Sequence, residues 1–364
     1  MCHTCTLRSS PFRKLGSTLP IEIMYLGEED LGEELREMLE DLPGVVSRDM
    51  SRMIDDAGWQ IRGWASKPWA ILMSSFREAL FLDADVLFFV NPDILFDDPQ
   101  YEQTGALFFK DRNLPREQKR KWLKKVLPSP VSDQIKRNRL WTGESGHMQD
   151  SGVVVIDNWR HFVPLLLTAR LNGPDRDGNK EQGKRGVYDM MYGDKETFWL
   201  GWEMAGEVDY AFHNGSTGIM GSLHKAEAPQ SPILAEEALG VHGLHSDHLG
   251  LHTRIAESKH REPQNVTVCS PQLLHFDVED RPLWLNGWLS HDKYTHPEDV
   301  DIDAFQVYLK EPRKDKRNKT EIWKVGENNN CCLTADSSLR IAPEEREVLG
   351  MIIALAKEVD WEVF

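Results

Sequence analysis

Phe76-Arg-Glu-Ala-Leu-Phe-Leu-Asp-Ala-Asp-Val-Leu-Phe-Phe-Val90 is an apolar segment interrupted by two aspartates. Residues 79–82 are short and apolar, which predicts a buried strand. That strand would deliver Asp83 and Asp85 at its end, after which the apolar run resumes up to the Asn91-Pro92 turn. Because residues i and i+2 of a strand lie on the same face, the two carboxylates are expected to project together.

Two carboxylates beside a buried strand need a positive charge between them, because burying unpaired acids is costly. A divalent metal that carries a diphosphate would supply that charge, and Mg²⁺ and Mn²⁺ prefer oxygen ligands of this kind. An Asp-x-Asp pair alone is weak evidence. The alternative is a turn at the strand end with two solvated acids.

The neighbouring segments predict an α/β fold. Residues 19–26 are typical of a strand, and an acidic helix is predicted for residues 30–42. Residues 65–77 have helical spacing and lead directly into the strand before Asp83. A strand of β-branched residues is predicted after a small polar turn in Gln149–Asp157. This alternation of strand and helix favours a sheet with parallel strands.

The composition argues against nucleic acid as a partner and does not determine the cellular compartment. The chain has 364 residues and a formal charge of −16, so the backbone of a nucleic acid is not expected as a partner. Twelve Trp is a high number, and exposed aromatic faces suit stacking on sugars or bases, although most should be core. Apolar segments fall far short of the ~20 residues that span a bilayer.

Several other motifs have unremarkable interpretations. A basic segment, Lys119–Lys125, is interpreted as a solvated amphipathic helix, and residues 170–196 form a loop of the length usual for functional lids. A histidine cluster is interpreted as a surface loop, and a Cys-His-Thr-Cys segment as an accidental zinc half-site. The histidines of the cluster are His242, His245, His248 and His252. The five cysteines of the chain are Cys2, Cys5, Cys269, Cys331 and Cys332. Three glycosylation sequons begin at Asn214, Asn265 and Asn318.

Taken together, the motifs resemble those of the fungal Golgi α-1,3-mannosyltransferases, a family of type II membrane glycosyltransferases. The resemblance runs from about residue 16 to residue 290. It rests on Leu19-Pro-Ile-Glu-Ile-Met-Tyr-Leu26, Trp64-Ala-Ser-Lys67-Pro-Trp69, Phe81-Leu-Asp-Ala-Asp85, Trp141-Thr-Gly-Glu-Ser-Gly-His-Met-Gln-Asp-Ser-Gly152 and Tyr192-Gly-Asp-Lys-Glu-Thr-Phe-Trp199. More distantly, the pattern is similar to that of glycogenin-type retaining transferases.

This resemblance implies a GT-A type fold, with a Rossmann-like mixed sheet flanked by helices. The implied domains are an irregular N-terminal remnant (1–15), one catalytic domain (16–300) and a charged linker with a C-terminal helix (301–364). Family members begin with a cytosolic tail, a membrane anchor and a stem. The anchor and the first strand of the nucleotide-binding half are not evident in the sequence of this chain.

The resemblance also implies the roles of the site residues. Lys67, Asp83 and Asp85 would bind the donor, and Asp83, Asp85 and His275 would bind Mn²⁺ or Mg²⁺. Candidates for contact with the reacting carbon are Asp150, Asp194 and Glu196.

The implied reaction is metal-dependent, retaining transfer of mannose from GDP-mannose to a mannose hydroxyl of a glycan, which forms an α-1,3 linkage. The implied location is the luminal side of the Golgi membrane. Two alternatives stay open. One is a truncated, inactive sugar-binding relative. The other is an Asp-x-Asp phosphatase with Asp83 as nucleophile and Asp85 as acid/base, which is disfavoured because Leu87 stands where that class has Thr or Val.

Overall fold

The computed structural model describes residues 11–223, 266–287, 305–312, 323–326 and 330–358. The strands are β1 Ile21–Tyr25, β2 Val45–Asp49, β3 Glu78–Leu82, β4 Val86–Phe88, β5 Ala106–Lys110, β6 Gln149–Asp157, β7 Ala211–Phe212, β8 Thr217–Gly221, β9 Val266–Ser270, β10 Leu273–Phe276, β11 Pro282–Asn286, β12 Val307–Lys310, β13 Trp323–Val325, β14 Cys331–Ala335 and β15 Leu339–Arg340.

The α-helices are α1 Glu33–Glu40, α2 Lys67–Met73, α3 Pro99–Thr104, α4 Arg120–Val126, α5 Asp133–Arg137, α6 Arg139–Thr142, α7 Phe162–Leu171, α8 Thr197–Ala205 and α9 Pro343–Glu358. Short 3₁₀ helices span Met50–Arg52, Gly63–Ser66 and Pro92–Asp97. None of the helices in the described segments is both long enough and apolar enough to cross a lipid bilayer.

Four sheets are formed by the described strands. The largest has the order β15-β12-β8-β10-β11-β4, and a second has the order β3-β6-β5-β7. β1 and β2 form a parallel pair, and the order of the fourth sheet is β13-β14-β9. The α/β class predicted from the sequence is confirmed. The predicted parallel pairing is correct for β1–β2 and β5–β7 only, because β3 and β5 both run antiparallel to β6.

The core of the second sheet is strand β6, which is buried along its whole length. Helices α7 and α8 pack together in the same apolar cluster, which includes the buried rings of Trp199 and Trp202. The two helices approach closely at Gly201, where a Cβ would lie 2.2 Å from Oγ1 of Thr168. The polar residues at the start of β6 belong to the strand, whereas the sequence predicted a turn there.

The segment between β3 and β4 connects two sheets. The amide of Asp83 donates to the carbonyl of Gly152 in β6 (2.8 Å), and the amide of Gly287, after β11, donates to the carbonyl of Asp85 (3.0 Å). The two aspartates therefore lie at a crossing point between sheets and not on one face of a single strand, which corrects the sequence prediction. The predicted burial of residues 79–82 is also only partly right, since β3 is an edge strand and only Ala79 is fully buried.

The C-terminal part contributes more than the predicted linker and helix. β12 pairs with β8 inside the six-stranded sheet, and a disulfide between Cys269 and Cys332 joins β9 to β14. Helix α9 packs through Leu349, Ile352 and Ile353 in an apolar cluster with residues of β8, β10 and β11. Residues 305–312 and 330–355 are thus integrated with the strands that precede residue 300.

Some predictions fall outside the described residues. These are the Cys2–Cys5 segment, the histidine cluster of residues 242–252 and the sequons at Asn265 and Asn318. Within the N-terminal remnant, residues 11–14 are helical. The basic segment forms helix α4, with Leu123 buried on its inner side.

Candidate active site

A small cavity opens where the segment between β3 and β4 meets the start of β6. Its volume is about 160 Å³. The lining residues come from separate parts of the chain: Trp64, Lys67, Asp83, Asp85, Asp150, Ser151, Tyr192, Asp194, Lys195 and Asn286. Five of the residues predicted from the sequence are therefore brought together, namely Lys67, Asp83, Asp85, Asp150 and Asp194.

Lys67 is the central cation of this cavity. It is the first residue of helix α2, and its Nζ lies 2.6 Å from Oδ2 of Asp83 and 3.5 Å from Oδ2 of Asp194. Burial opposes the charge on Lys67, but the charges of Asp194 and Asp83 outweigh burial and raise the pKa of Lys67 above its ordinary range. Lys67 therefore stays an ammonium ion.

The carboxylates outnumber the cations around the cavity. Burial raises the pKa of Asp83 to about 7, because the charge of Lys67 is offset by the nearby acids Asp85 and Asp194. Ser151 adds a hydroxyl to the network and donates to Oδ2 of Asp194 at 2.8 Å. Such crowding of acids in a partly dehydrated site favours a ligand that is cationic or rich in hydroxyl donors.

Asp150 is a fixed carboxylate at the base of the cavity. Its Oδ1 accepts hydrogen bonds from the amide of Gly152 (2.9 Å) and from Nδ2 of Asn286 (2.8 Å). Its Oδ2 lies 3.1 Å from Nε2 of His275. Burial would raise the pKa of Asp150, but the hydrogen bond from His275 and the charge of Lys195 outweigh burial and hold the pKa below its ordinary range.

His275 is buried beside Asp150, and its predicted role as a metal ligand stays a prediction. Its ring is 2% exposed and stacks on Trp284, with ring centroids 3.8 Å apart and planes 10° apart. The register of β10 with β11 places these two residues opposite each other. His275 therefore contacts Asp150 through its Nε2 and the apolar core through its ring.

Glu196 forms its hydrogen bonds with groups that do not line the cavity. It is fully buried, and its Oε1 accepts from the amides of Met148 (2.7 Å) and Gln149 (3.3 Å). Its Oε2 accepts from Nε1 of Trp199 at 2.5 Å. Burial raises the pKa of Glu196 to about 7. These contacts connect the residues at the start of β6 with the start of α8, and contact of Glu196 with a reacting carbon stays a prediction.

The side chains that line the cavity are suited to a divalent metal. Four carboxylates and two ammonium groups line the cavity, so there is an excess of negative charge and of oxygen ligands. That excess fits Mn²⁺ or Mg²⁺. Among the residues that the structure describes, no group of three His, Cys, Asp or Glu side chains is arranged to hold a metal. Asp83 and Asp85 thus fit a metal as a partial set of ligands, and further ligands would complete the coordination.

Sequence reasoning missed several residues of the lining. Ser151 and Lys195 adjoin Asp150 and Asp194 in the quoted motifs, so their neighbours could have indicated them. Trp64 and Tyr192 also lie within those motifs, but the sequence does not tell which of many aromatic residues are exposed. The sequence does not indicate that Asn286 is part of the site, because Asn286 reaches the cavity through the pairing of β11 with β4.

Residues 10–277 match the model of the family described as "Mannosyltransferase putative". This match covers well over half of the chain, and the chain belongs to that mannosyltransferase family. The predicted resemblance to fungal α-1,3-mannosyltransferases is confirmed.

Two relatives from Saccharomyces cerevisiae illustrate the relationship. The chain is 27% identical over 353 residues to the alpha-1,3-mannosyltransferase MNT3, in an alignment that covers 88% of this chain and 50% of that protein. It is 23% identical over 351 residues to the alpha-1,3-mannosyltransferase MNN1, with 81% of this chain and 41% of that protein covered. The chain therefore spans half or less of the length of these relatives.

Among solved structures, the chain is similar to the galactosyltransferase LgtC in complex with donor and acceptor sugar analogs. The TM-score is 0.38 at 16% identity, and the superposition covers 58% of this chain and 69% of that chain. A likeness this distant does not bear on substrate or mechanism.

Proposed function

We propose that this chain catalyses the transfer of mannose from GDP-mannose to a mannose hydroxyl of a glycan, with retention of configuration and formation of an α-1,3 linkage. The proposal includes a GT-A type catalytic domain and a requirement for Mn²⁺ or Mg²⁺. The observation that supports it most is the cavity that Asp83, Asp85, Asp150 and Asp194 line together with Lys67, in a chain of the mannosyltransferase family.

Lys67 would bind the phosphate groups of the donor. Its side chain is 13% exposed and bridges Asp83 and Asp194, so its position is fixed before a ligand arrives. A permanent positive charge in a partly buried site stabilises negative charge that grows on a departing diphosphate. The same charge would hold the donor against the carboxylates that line the cavity.

Asp194 is the preferred carboxylate for contact with the anomeric carbon. It lines the cavity and is 2% exposed, and its Oδ2 accepts a hydrogen bond from Ser151 and forms an ion pair with Lys67. Asp150 is less suited, because both of its oxygens already accept hydrogen bonds from protein donors. Retention requires either a carboxylate nucleophile or attack from the face of the leaving group. Asp194 can serve as the nucleophile or stabilise the positive charge on the sugar ring.

Asp83 and Asp85 would hold the divalent metal, with the donor completing its coordination. When bound, the ion would offset the charge of the nucleoside diphosphate. Asp85 is exposed and therefore accessible to a ligand that enters with its metal.

We also propose a luminal Golgi location for the catalytic residues, with a membrane anchor in the native protein. The Cys269–Cys332 disulfide and the exposed Asn214 of an Asn-Gly-Ser sequon support an oxidising, glycosylating compartment.

The test is a transfer assay with GDP-mannose, Mn²⁺ and a mannose disaccharide acceptor. Wild-type protein should form a trisaccharide, and Asp194→Asn should lower kcat by at least a hundredfold. Asp133→Asn is the matched control, because Asp133 is a highly exposed carboxylate at the start of α5. Its activity should equal that of the wild type.

Three outcomes would contradict the proposal. Hydrolysis of phosphate monoesters without sugar transfer would favour the phosphatase alternative, and sugar binding without turnover would favour an inactive relative. Equal activity of Asp194→Asn and wild type would remove Asp194 from the mechanism.

A further inference from the structure

Two exposed aromatic rings lie against each other at the rim of the cavity. Trp64 is 52% exposed and Tyr192 is 54% exposed, and their ring centroids are 5.5 Å apart. Both residues line the cavity together with its carboxylates. Single exposed aromatic residues are ordinary, but two in contact beside a polar cavity make a surface that a ligand can cover.

The backbone holds this pair in place. Gly193 follows Tyr192 with φ at +64°, and a Cβ there would lie 2.8 Å from Cε3 of Trp64. The ring of Trp64 therefore rests directly on the backbone of Gly193. His147 contacts the other ring of the pair, with its centroid 5.7 Å from that of Tyr192.

A buried arginine ties together the two segments that carry the rings. Arg176 is 6% exposed, and its guanidinium donates to the carbonyls of Trp59 (3.1 Å) and Gln60 (2.8 Å). Trp59 and Gln60 directly precede the turn that carries Trp64, and Arg176 lies in the loop that leads to Tyr192. Arg176 thus connects the segment before Trp64 to the loop that leads to Tyr192.

We propose that Trp64 and Tyr192 form a stacking platform for the acceptor sugar. The inference rests on the proposed function and names the surface that recognises its acceptor. A pyranose ring has an apolar face of C–H groups, which suits the aromatic surface. It also has hydroxyl donors, which suit the carboxylates at the base of the cavity.

The charge of the site favours a neutral sugar over a nucleotide on this platform. The cavity has more carboxylates than cations, and Lys67, its most central cation, lies among the carboxylates and is 13% exposed. A diphosphate would therefore bind where cations offset its charge, beside Lys67 and a metal held by Asp83 and Asp85. The exposed rim can then bind a glycan whose remaining sugars extend into solvent.

The platform is tested by measuring sugar and nucleotide binding separately. A mannose disaccharide and GDP with Mn²⁺ are titrated into wild-type protein, Trp64→Ala and Trp64→Phe, with ligand-observed NMR and calorimetry as the readouts. Trp64→Ala should weaken disaccharide binding at least tenfold and leave the affinity for GDP unchanged. Trp64→Phe should retain most of the sugar affinity, because a ring for stacking is kept. In the transfer assay, Trp64→Ala should raise the KM for the acceptor at least tenfold and change kcat less than it changes KM.

Trp159→Ala is the matched control, since Trp159 is 77% exposed and is not part of the cavity lining. It should bind both ligands as the wild type does. Unchanged disaccharide binding by Trp64→Ala, loss of GDP affinity instead, or no disaccharide binding by the wild type would each overturn the platform. Trp64-dependent sugar binding in a protein that transfers no mannose would contradict the proposed function and leave the platform intact.

Discussion

Replacement of His275 separates a structural role from metal ligation. The side chain is 2% exposed, stacks on Trp284 at 3.8 Å and lies with its edge near Phe109, with centroids 5.6 Å apart. Removing a buried ring of this size costs about 3 kcal/mol. His275→Ala also leaves the buried Asp150 without one donor, which costs about 1 kcal/mol or more. We therefore expect a loss of about 4 kcal/mol in the free energy of unfolding.

The assay is urea and thermal unfolding of metal-free protein, combined with calorimetric titration of GDP with and without Mn²⁺. At about 2 °C for each kcal/mol, Tm should fall by roughly 8 °C. The Mn²⁺ dependence of GDP binding should be unchanged in the folded variant. Asp85→Ala provides the contrast, because Asp85 is exposed: it should lose the Mn²⁺ dependence and keep its Tm.

The pH dependence of the free energy of unfolding provides a second test of the contact between His275 and Asp150. The pKa of Asp150 is held below its ordinary range in the folded protein, so its contribution to stability is present above about pH 4 and is lost as the pH falls. The stability difference between wild type and His275→Ala should therefore shrink below about pH 4. An unchanged Tm in His275→Ala, together with a tenfold weaker affinity for Mn²⁺, would refute this reasoning and restore His275 as a ligand.

Three further predictions concern stability and substrate binding. Lys67→Met should lower the free energy of unfolding by about 3 kcal/mol in urea titrations, because it removes the cation that forms ion pairs with Asp83 and Asp194; an unchanged midpoint would contradict this. Gly193→Ala should raise the acceptor KM, because it strains a left-handed residue by about 1–2 kcal/mol and displaces the ring of Trp64; wild-type kinetics would be evidence against the contact. Cys332→Ser should cost about 4 kcal/mol, since the lost disulfide to Cys269 closes a loop with a sequence separation of 63. A reducing agent should lower the Tm of the wild type and not that of Cys332→Ser.

The sequence was sufficient to predict the α/β class and most of the candidate site. Lys67, Asp83, Asp85, Asp150 and Asp194 each lie in a short motif, and all five line one cavity. Short motifs identify these residues because the local backbone conformation that a motif favours also determines where its own side chains lie.

The contacts that the sequence did not reveal are those between segments that are distant in the chain. A histidine after two apolar residues does not reveal that Trp284 will lie opposite it across β10 and β11. Likewise, an apolar run predicts β3 but not its direction relative to β6, since periodicity is the same for parallel and antiparallel pairs. Glu196 stood near the expected catalytic residues in sequence, but the packing of α8 against β6 turned its carboxylate toward backbone amides.

The most direct measurement of the central claim is real-time NMR of the reaction of GDP-α-mannose with a mannose disaccharide and Mn²⁺. We predict a new α-anomeric signal that correlates with carbon 3 of the acceptor mannose, formed by wild type and absent with Asp194→Asn. A β-anomeric product, release of mannose 1-phosphate, or equal rates for the two proteins would contradict the account.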